Sequence, residues 1–413
     1  MRILFLCHRI PYPPDKGDKI RAFHELRGMA AAGHEVDVFT LADDPADLVH
    51  RSALGRHCRR LTVSPIHPKL ARLKALPYFL TPTALTLPYF YSEDLAREIR
   101  KALRVRSYDR VFVYSSAMAQ YVDWDNAYPV VTDLVDVDSD KWTQYAKVAS
   151  FPYSAVYRRE GRALREHERE VCRNSSAVVV TTGREACLVR EIWADAPVHV
   201  IPNGVDTAYF NPKQLMAGAN ASVAPRTITF VGDMSYFPNE EAASYFARSV
   251  LPLIRVQATD ARFLIVGRNP SRHVRDLSRI GGVTVTGSVP DVRPYLARTH
   301  VSVAPFSIAS GIQNKILEAL ACGVPVVATA RAVQGMAPEV AAALDTAENA
   351  KELASKVLTL LADPQLARRR GLEGSRLVTE GHNWERSLDS VLQLLNNPKP
   401  RELSHAGVPK PAR

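Results

Sequence analysis

The chain has 413 residues, 46% of them hydrophobic and 23% charged, and a formal net charge of +10. This length predicts two or three domains, and this balance is that of a globular protein with full cores rather than a disordered chain. No window approaches ~18 uninterrupted apolar residues, so no membrane span is predicted. The N-terminal stretch MRILFLCHRIPYPP is too short in its apolar part for a secretory leader and lacks a small-residue cleavage site.

Five Cys, at positions 7, 58, 172, 187 and 322, form no C-x-x-C pair. Their odd number and spread predict reduced thiols in a cytosolic protein, each acting as a small core residue.

In chain order, the first half alternates short apolar runs with helical stretches. The runs are RILFLC, HEVDVFT, RRLTVS, RVFVYS, PVVTDLV, SAVVVTT and PVHVIP. Between them lie helical candidates such as IRAFHELRGMAAAG and YSEDLAREIRKAL. Residues 211–226, NPKQLMAGANASVAPR, are rich in small residues, Asn and Pro, and read as a linker. A second series follows: TITFVGD, RFLIVGR, VTVTG, VSVAP, VPVVAT and AALDT. Near-continuous apolar strands separated by helices mean parallel sheets covered on both faces. The fold class is therefore α/β, with two doubly wound, Rossmann-like domains facing across a cleft. Ligands are expected outside the C-terminal ends of the strands. The domains are placed at residues 1–205 and 206–383, with a last helix at 384–395 packing back on the first domain and a disordered tail over 396–413.

Between Arg51 and Arg106 stand twelve Lys and Arg against three Asp and Glu, and this region also contains PYFLTPTALTLPYFY. Basic residues beside aromatics suit an anionic membrane surface or a lipid-phosphate acceptor. The alternative is a solvated basic helix with an irregular loop packed on the core. No stacking or helix-turn-helix pattern accompanies the charge, so no nucleic-acid partner is expected.

Several chemistries are excluded. No G-x-G-x-x-G fingerprint sits at a strand-to-helix junction, and no P-loop or G-x-S-x-G elbow occurs. The 12 His include no H-x-x-x-H spacing, so no metal site is assigned.

Four segments carry candidate chemistry. In PYPPDKGDKIRAFHEL, Gly17 precedes a helix and would let backbone approach a ligand, while Lys19 and Arg21 either touch phosphate or are solvated charges. DLVDVDSDKW places Asp136, Asp138 and Asp140 in alternation after a strand, a possible cation site in an extended chain. The favoured reading instead has one Asp in the cleft and the others capping a helix or facing water. Asp136 is the candidate to orient an acceptor hydroxyl or take its proton. IPNGVD holds the turn pair Asn203-Gly204 at the expected hinge. Gly232, Gly267 with Arg268, and the segment around Val289 follow strands of the second series, where a nucleotide cleft would lie.

The most informative stretch is SGIQNKILEALACGVPVVAT, residues 310–329. Gly311 forms a turn before a short helix, whose N-terminus can hold an anion through backbone N–H groups near Gln313 and Asn314. Lys315 lies in the first turn, where the helix dipole disfavours a cation unless an anion is near. Glu318 shares its face and suits ribose hydroxyls. Diphosphate and ribose together indicate a nucleotide.

PNGVD, VGR, VTGSVPDV and NKILEALACGVPVVAT, in this order, resemble the GT-B glycosyltransferases of glycosyltransferase family 4. PPDKGDKIR, DLVDVDSDKW and GIQNKILEA further resemble the sugar transferases found with PEP-CTERM/exosortase exopolysaccharide systems. The resemblance implies retaining, metal-independent transfer of a hexosyl group from a UDP- or GDP-linked donor to a saccharide or polyprenyl-linked acceptor. No separate cofactor is implied. Carried over by motif, Lys315 and the backbone near Gln313 and Asn314 hold the diphosphate, Glu318 binds ribose, Gly17 allows phosphate approach, and Val289 borders the base. Lys315, Glu318 and Asp136 stand as the catalytic candidates; Gly17, Gly232, Arg268, Val289, Gly311, Gln313 and Asn314 complete the donor site. Two departures stand out. Ser310 occupies the position of the family's first motif Glu. The segment GDMSYFPN lacks the basic pair common after the first strand of the second domain, which shifts charge compensation to Lys315, Arg268 or Arg21. Two alternatives to a transferase are a GT-B nucleotide-sugar epimerase and a non-catalytic nucleotide-sugar-binding partner of a polysaccharide synthase complex. The expected location is cytoplasmic, at the inner face of the plasma membrane if the basic aromatic region binds lipid.

Overall fold

The computed structural model describes residues 1–14, 17–126, 128–212, 226–309 and 311–398. Each of the seven apolar runs of the first half forms a strand: β1 (Arg2–Cys7), β2 (Glu35–Ala42), β3 (Arg60–Pro65), β4 (Arg110–Tyr114), β5 (Val130–Val135), β6 (Ala177–Val180) and β7 (Val198–Val200). They form one sheet in the order β3-β2-β1-β4-β5-β6-β7, with parallel pairing throughout. The second series gives β8 (Thr227–Val231), β9 (Arg262–Val266), β10 (Val283–Val285), β11 (Val301–Ala304), β12 (Val326–Thr329) and β13 (Asp345–Ala347). Their order is β10-β9-β8-β11-β12-β13, again parallel. Strands such as AVVV and VSVA are buried along their whole length, as sheets covered on both faces require. The α/β, two-sheet architecture expected from the alternation is the one observed.

The strand order reverses beside β1 and β4 in the first sheet and beside β8 and β11 in the second. At such a switch point adjacent connections leave in opposite directions and open a crevice. The helix Gly17–Ala31 follows β1, and the helix Asn314–Ala321 follows β11. Both candidate loops therefore sit where topology places a ligand.

The chain returns to the first domain at its end. The helix Trp384–Asn396 contributes Val391 and Leu395 to the core around Ile3, Phe5 and Phe112. Trp384 stacks on His24 with ring centroids 4.3 Å apart, and Arg110 Nε donates to Leu395 O at 2.7 Å. Gly204 makes this return possible, since a Cβ there would lie 2.5 Å from the backbone nitrogen of Trp384. The Asn203-Gly204 pair is thus more than a turn signal: it is a docking point for the last helix.

Some expectations are corrected. Lys19 and Arg21 are neither solvated nor free for phosphate. Lys19 is buried against Asp47 at 2.6 Å, and Arg21 is buried against Asp133 at 2.6 Å. Cys187 is exposed rather than part of a core, while Cys7, Cys172 and Cys322 are buried. Most of the linker segment, the tail beyond residue 398 and Ser310 lie outside the described residues. Among the described residues no helix is long and apolar enough to cross a membrane.

Candidate active site

The Lys315 side of the cleft is assembled on the second sheet. Asn314–Ala321 is a short helix with Gln313 at its N-cap. Lys315 Nζ donates to Asn239 Oδ1 at 2.7 Å and sits over the faces of Phe306 and Phe230, 4.6 and 5.2 Å from their centroids. Asn239 itself is buried and donates to Asp233 O at 2.8 Å. A Cβ on Gly232 would come within 2.9 Å of Asn239, so the loop after β8 closes tightly around this amide. Arg268 pairs with Asp233 at 3.0 Å, which places it beside Gly232 but engages its charge.

Lys315 and Glu318 form an under-solvated pair. Burial pushes the Lys315 amine down to about 8, with Glu318 opposing the shift. Burial pushes the Glu318 carboxyl up to about 7, with Lys315 opposing. Each charged form is disfavoured by lost water, and neither fully compensates the other. An anion placed near Lys315 would restore its charge. Beyond Glu318, burial pushes the Cys322 thiol up to about 12, and that thiol also feels the charges of Glu318, Arg293 and Asp291. Val289 is half-buried in the loop after β10.

The facing wall comes from the first sheet. Near its end β5 carries Asp133, fully buried, and its last residue, Val135, has φ 65°. A β-branched residue in that conformation is strained by roughly 1–3 kcal/mol. Its N–H is held by Asp133 Oδ1 at 2.8 Å, and the pairing with β6 shifts register at this point. The distortion turns Asp136 out of the strand and into the cleft. There it lies under Gly311, whose φ is +60° and whose Cβ, if present, would be 2.5 Å from Asp136 Oδ1. Glycine meets both demands: it reaches a left-handed conformation and leaves room for a carboxylate.

Asp136 has a carboxylate neighbour that sequence reasoning missed. Glu185, on the helix Gly183–Ile192, is buried and interacts with Asp136 and with the hydroxyls of Thr181 at 2.8 Å and Thr182 at 3.2 Å. Burial and the Asp136 charge raise the Glu185 pKa, so Glu185 holds the proton between the two groups. Asp138 and Asp140 are not extended beside Asp136. They lie in the first turn of the helix Asp138–Val148, where Asp138 meets Lys141 at 3.5 Å and Asp140 meets Arg184 at 2.7 Å. Glu168 fixes the start of that helix, accepting from the Ser139 N–H at 3.0 Å and from its hydroxyl.

The two walls touch. Asn203 Nδ2 donates to Asn314 Oδ1 at 3.0 Å, and Arg21 donates to Asn203 Oδ1 at 2.9 Å. A Cβ on Gly17 would stand 3.6 Å from Asn314 Nδ2, in ordinary contact. Tyr145 and Tyr236 hydroxyls meet at 3.3 Å from opposite domains. Gly17, Asp136, Gly232, Gly311, Gln313, Asn314 and Lys315 thus converge, with Glu318 one turn further along. Arg268 borders this group through Asp233. Asn203, Asn239 and Glu185 belong to it without any spacing signal in the sequence. Asn203 alone was visible, as part of a turn.

Two parallel-sheet domains with a polar cleft between their switch points define the GT-B class of glycosyltransferase. Residues 20–204 match the family "Glycosyl transferase 4-like domain", and residues 225–363 match "Glycosyl transferases group 1". The chain belongs to these glycosyltransferases. It is 28% identical over 255 residues to the alpha-maltose-1-phosphate synthase of Mycolicibacterium smegmatis, an alignment covering 55% of this chain and 64% of that protein. The chain thus spans less than two thirds of that relative. Among solved structures, sucrose-phosphate synthase from Thermosynechococcus elongatus superposes with TM-score 0.73 at 22% identity, over 96% of this chain and 98% of the other. HepE from Anabaena, in complex with UDP and glucose, gives TM-score 0.67 at 15% identity over 96% and 99%.

Proposed function

We propose that the protein is a retaining glycosyltransferase that moves a sugar from a UDP- or GDP-linked donor to a growing exopolysaccharide or lipid-linked oligosaccharide. The observation that carries this reading is the convergence of Lys315, the N-terminus of its helix and Gly17 on one side of Asp136. The amine and the helix N–H groups would take the diphosphate, and Glu318 the ribose. As the glycosidic bond breaks, negative charge grows on the leaving diphosphate, and a preorganised cation and backbone dipoles stabilise that charge. In a retaining transfer on one face, the leaving oxygen also receives the acceptor proton. Asp136 would orient the acceptor hydroxyl, and protonated Glu185 would keep it in place.

The membrane-facing part of the reading rests on residues 68–80. The helix Pro68–Ala75 buries Ala71 and Ala75 and exposes Leu70 and Leu73. Leu76, Tyr78, Phe79 and Leu80 continue the exposed apolar surface, with Lys69, Arg72 and Lys74 exposed beside it. A helix that hides alanines and presents leucines among cations fits the interface of an anionic bilayer. This location suits an enzyme acting on a lipid-linked acceptor of the kind handled in PEP-CTERM/exosortase exopolysaccharide assembly.

The test is incubation of the purified full chain with a panel of UDP- and GDP-sugars, with release of UDP or GDP measured with and without a polyprenyl-phosphate or oligosaccharide acceptor. Acceptor-stimulated release with retained anomeric configuration supports the proposal. Binding without release for every donor would favour a non-catalytic nucleotide-sugar-binding role, and interconversion of the donor sugar an epimerase.

A further inference from the structure

Among the described residues, several cations near the cleft are already paired with carboxylates. Arg268 is engaged by Asp233, Arg21 by Asp133, and Lys19 by Asp47. Carboxylates are plentiful: Asp136 lies under Gly311, Glu185 is buried against Asp136, Asp138 meets Lys141, and Glu318 acts on Lys315. Among the described cations of the second-domain wall, Lys315 is the one placed to face a leaving group whose negative charge grows during the reaction. Its amine is also the one that burial weakens.

Lys141 stands on the opposite wall. With Gln144 and Tyr145 it forms the first-domain side of a cavity whose other side is Tyr236, Pro238, Ile308, Ala309 and Gln313. Gln313 caps the Lys315 helix, and Pro238 precedes the Asn239 that holds Lys315. The ion pair between Lys141 and Asp138 is long, at 3.5 Å, and Lys141 lines the cavity itself. Burial works against its charge, but Asp138, Tyr236 and Asp136 outweigh that effect and keep the amine protonated.

We propose that Lys141, carried by the first domain, is the second cation for the donor diphosphate and works with Lys315 from the other side of the cleft. This deepens the donor-site reading above and rests on it. Because the two lysines belong to different domains, the charge complement is complete only when the cleft is closed as in this structure. Nucleoside diphosphate would therefore hold the domains together, and release of the product would accompany opening.

The test uses the full-length protein and measures UDP and GDP binding by calorimetry for wild type, Lys141→Met, Lys141→Gln and Lys141→Arg. Uridine and guanosine binding is followed by ligand-observed NMR, and thermal unfolding checks the fold of each variant. The expected result is a loss of about 10-fold or more in diphosphate affinity for Met and Gln, retention of most affinity for Arg, and unchanged nucleoside binding. Wild-type diphosphate affinity in folded Lys141→Met or Lys141→Gln would overturn the assignment. So would an equal loss for nucleoside and diphosphate, which marks a structural role. If wild type binds none of these ligands, the donor-site reading itself falls, a result distinct from normal wild-type binding with an indifferent Lys141.

Discussion

The side chains of Asn203 and Asn314 meet across the cleft, Nδ2 of the first donating to Oδ1 of the second at 3.0 Å. Asn203 is in turn fixed by Arg21, which also donates to Ile201 O at 3.0 Å and pairs with Asp133. A buried ion pair in the first domain thus positions the helix that carries Lys315 in the second. Glu25 lies against the same guanidinium at 3.2 Å, and burial together with Asp133 raises its pKa well above the usual range. One arginine thus faces two buried carboxylates, and Glu25 is the one pushed toward its neutral form.

Removing Arg21 strands Asp133 without a counter-charge in a fully buried site. Arg21→Met is expected to destabilise the protein by about 3–5 kcal/mol. Asn203→Ala removes a single partner from each neighbour and is expected to cost about 1–3 kcal/mol. Urea unfolding of both variants checks this. An Arg21→Met protein as stable as wild type would mean that the pair does not organise the first domain.

Lys315→Ala is expected to lower turnover by about 100-fold or more while leaving the fold intact. The half-buried side chain rests on two aromatic faces and Asn239 rather than filling the sheet core, so its truncation should leave the fold intact. Nucleotide release in the donor assay reads the effect, and circular dichroism confirms the fold. Near-wild-type turnover in the folded variant contradicts the role given to this side chain.

The same pair sets a pH dependence. With its pKa lowered to about 8, the Lys315 amine is charged below that pH and loses its charge as the pH rises through it. With its pKa raised to about 7, Glu318 ionises only above that value and becomes neutral below it. In the free enzyme both groups are charged best between about 7 and 8, so kcat/KM should fall on both sides of that window. Bound diphosphate favours the protonated amine, so the alkaline limb of kcat should lie at higher pH than that of kcat/KM. Lys315→Arg should remove the alkaline limb, because a guanidinium does not titrate there. Coincident limbs in kcat and kcat/KM would show that donor and amine do not meet.

The contact between Gly311 and Asp136 predicts a steric effect at the proposed acceptor site. Gly311→Val adds a Cβ that collides with Asp136 Oδ1 and a β-branched side chain at φ +60°. Displacing Asp136 or wedging the cleft open by even ~1 Å is expected to lower turnover by about 10- to 100-fold. Gly183→Ala is the control, since a Cβ there meets nothing within 4 Å. Comparable activity in Gly311→Val and Gly183→Ala would show that the turn over Asp136 is dispensable.

The sheets were legible in the sequence because parallel strands buried on both faces are written as continuous apolar runs, and each run became a strand. The helix of Lys315 and the turn at Gly311 were legible because a glycine turn followed by polar residues and then an apolar run is written locally in the chain. The partners that tune the site were not. Asn239 and Glu185 reach it from other strands' connections, and nothing local distinguishes a buried amide or carboxyl from a solvated one. Arg21 and Lys19 show the converse. Their neighbourhood was rich in charge, which suggested phosphate or water, but Asp133 and Asp47, far away in sequence, had already claimed them. The strain at Val135 was equally hidden, because only the tertiary fit makes a valine adopt a positive φ.

The exposed leucines of residues 70–76 give the last prediction. Leu70, Leu73 and Leu76 are 53%, 60% and 62% exposed, so they contribute little to the folded core, and replacing them should scarcely change stability. Water contact on three successive leucines is unfavourable, and a bilayer interface would remove it at ~25 cal/mol per Å² of apolar surface covered. Leu73→Glu/Leu76→Glu is therefore expected to keep wild-type unfolding within about 0.5 kcal/mol and to lose most binding to vesicles of phosphatidylglycerol and phosphatidylcholine. Lys69, Arg72 and Lys74 add an electrostatic part that raised salt should weaken and that vesicles of phosphatidylcholine alone should not provide. Co-sedimentation of the double variant at wild-type levels would show that the leucine face is not the lipid contact. Equal wild-type binding to charged and neutral vesicles would leave an apolar contact without the charge selectivity that the basic residues imply.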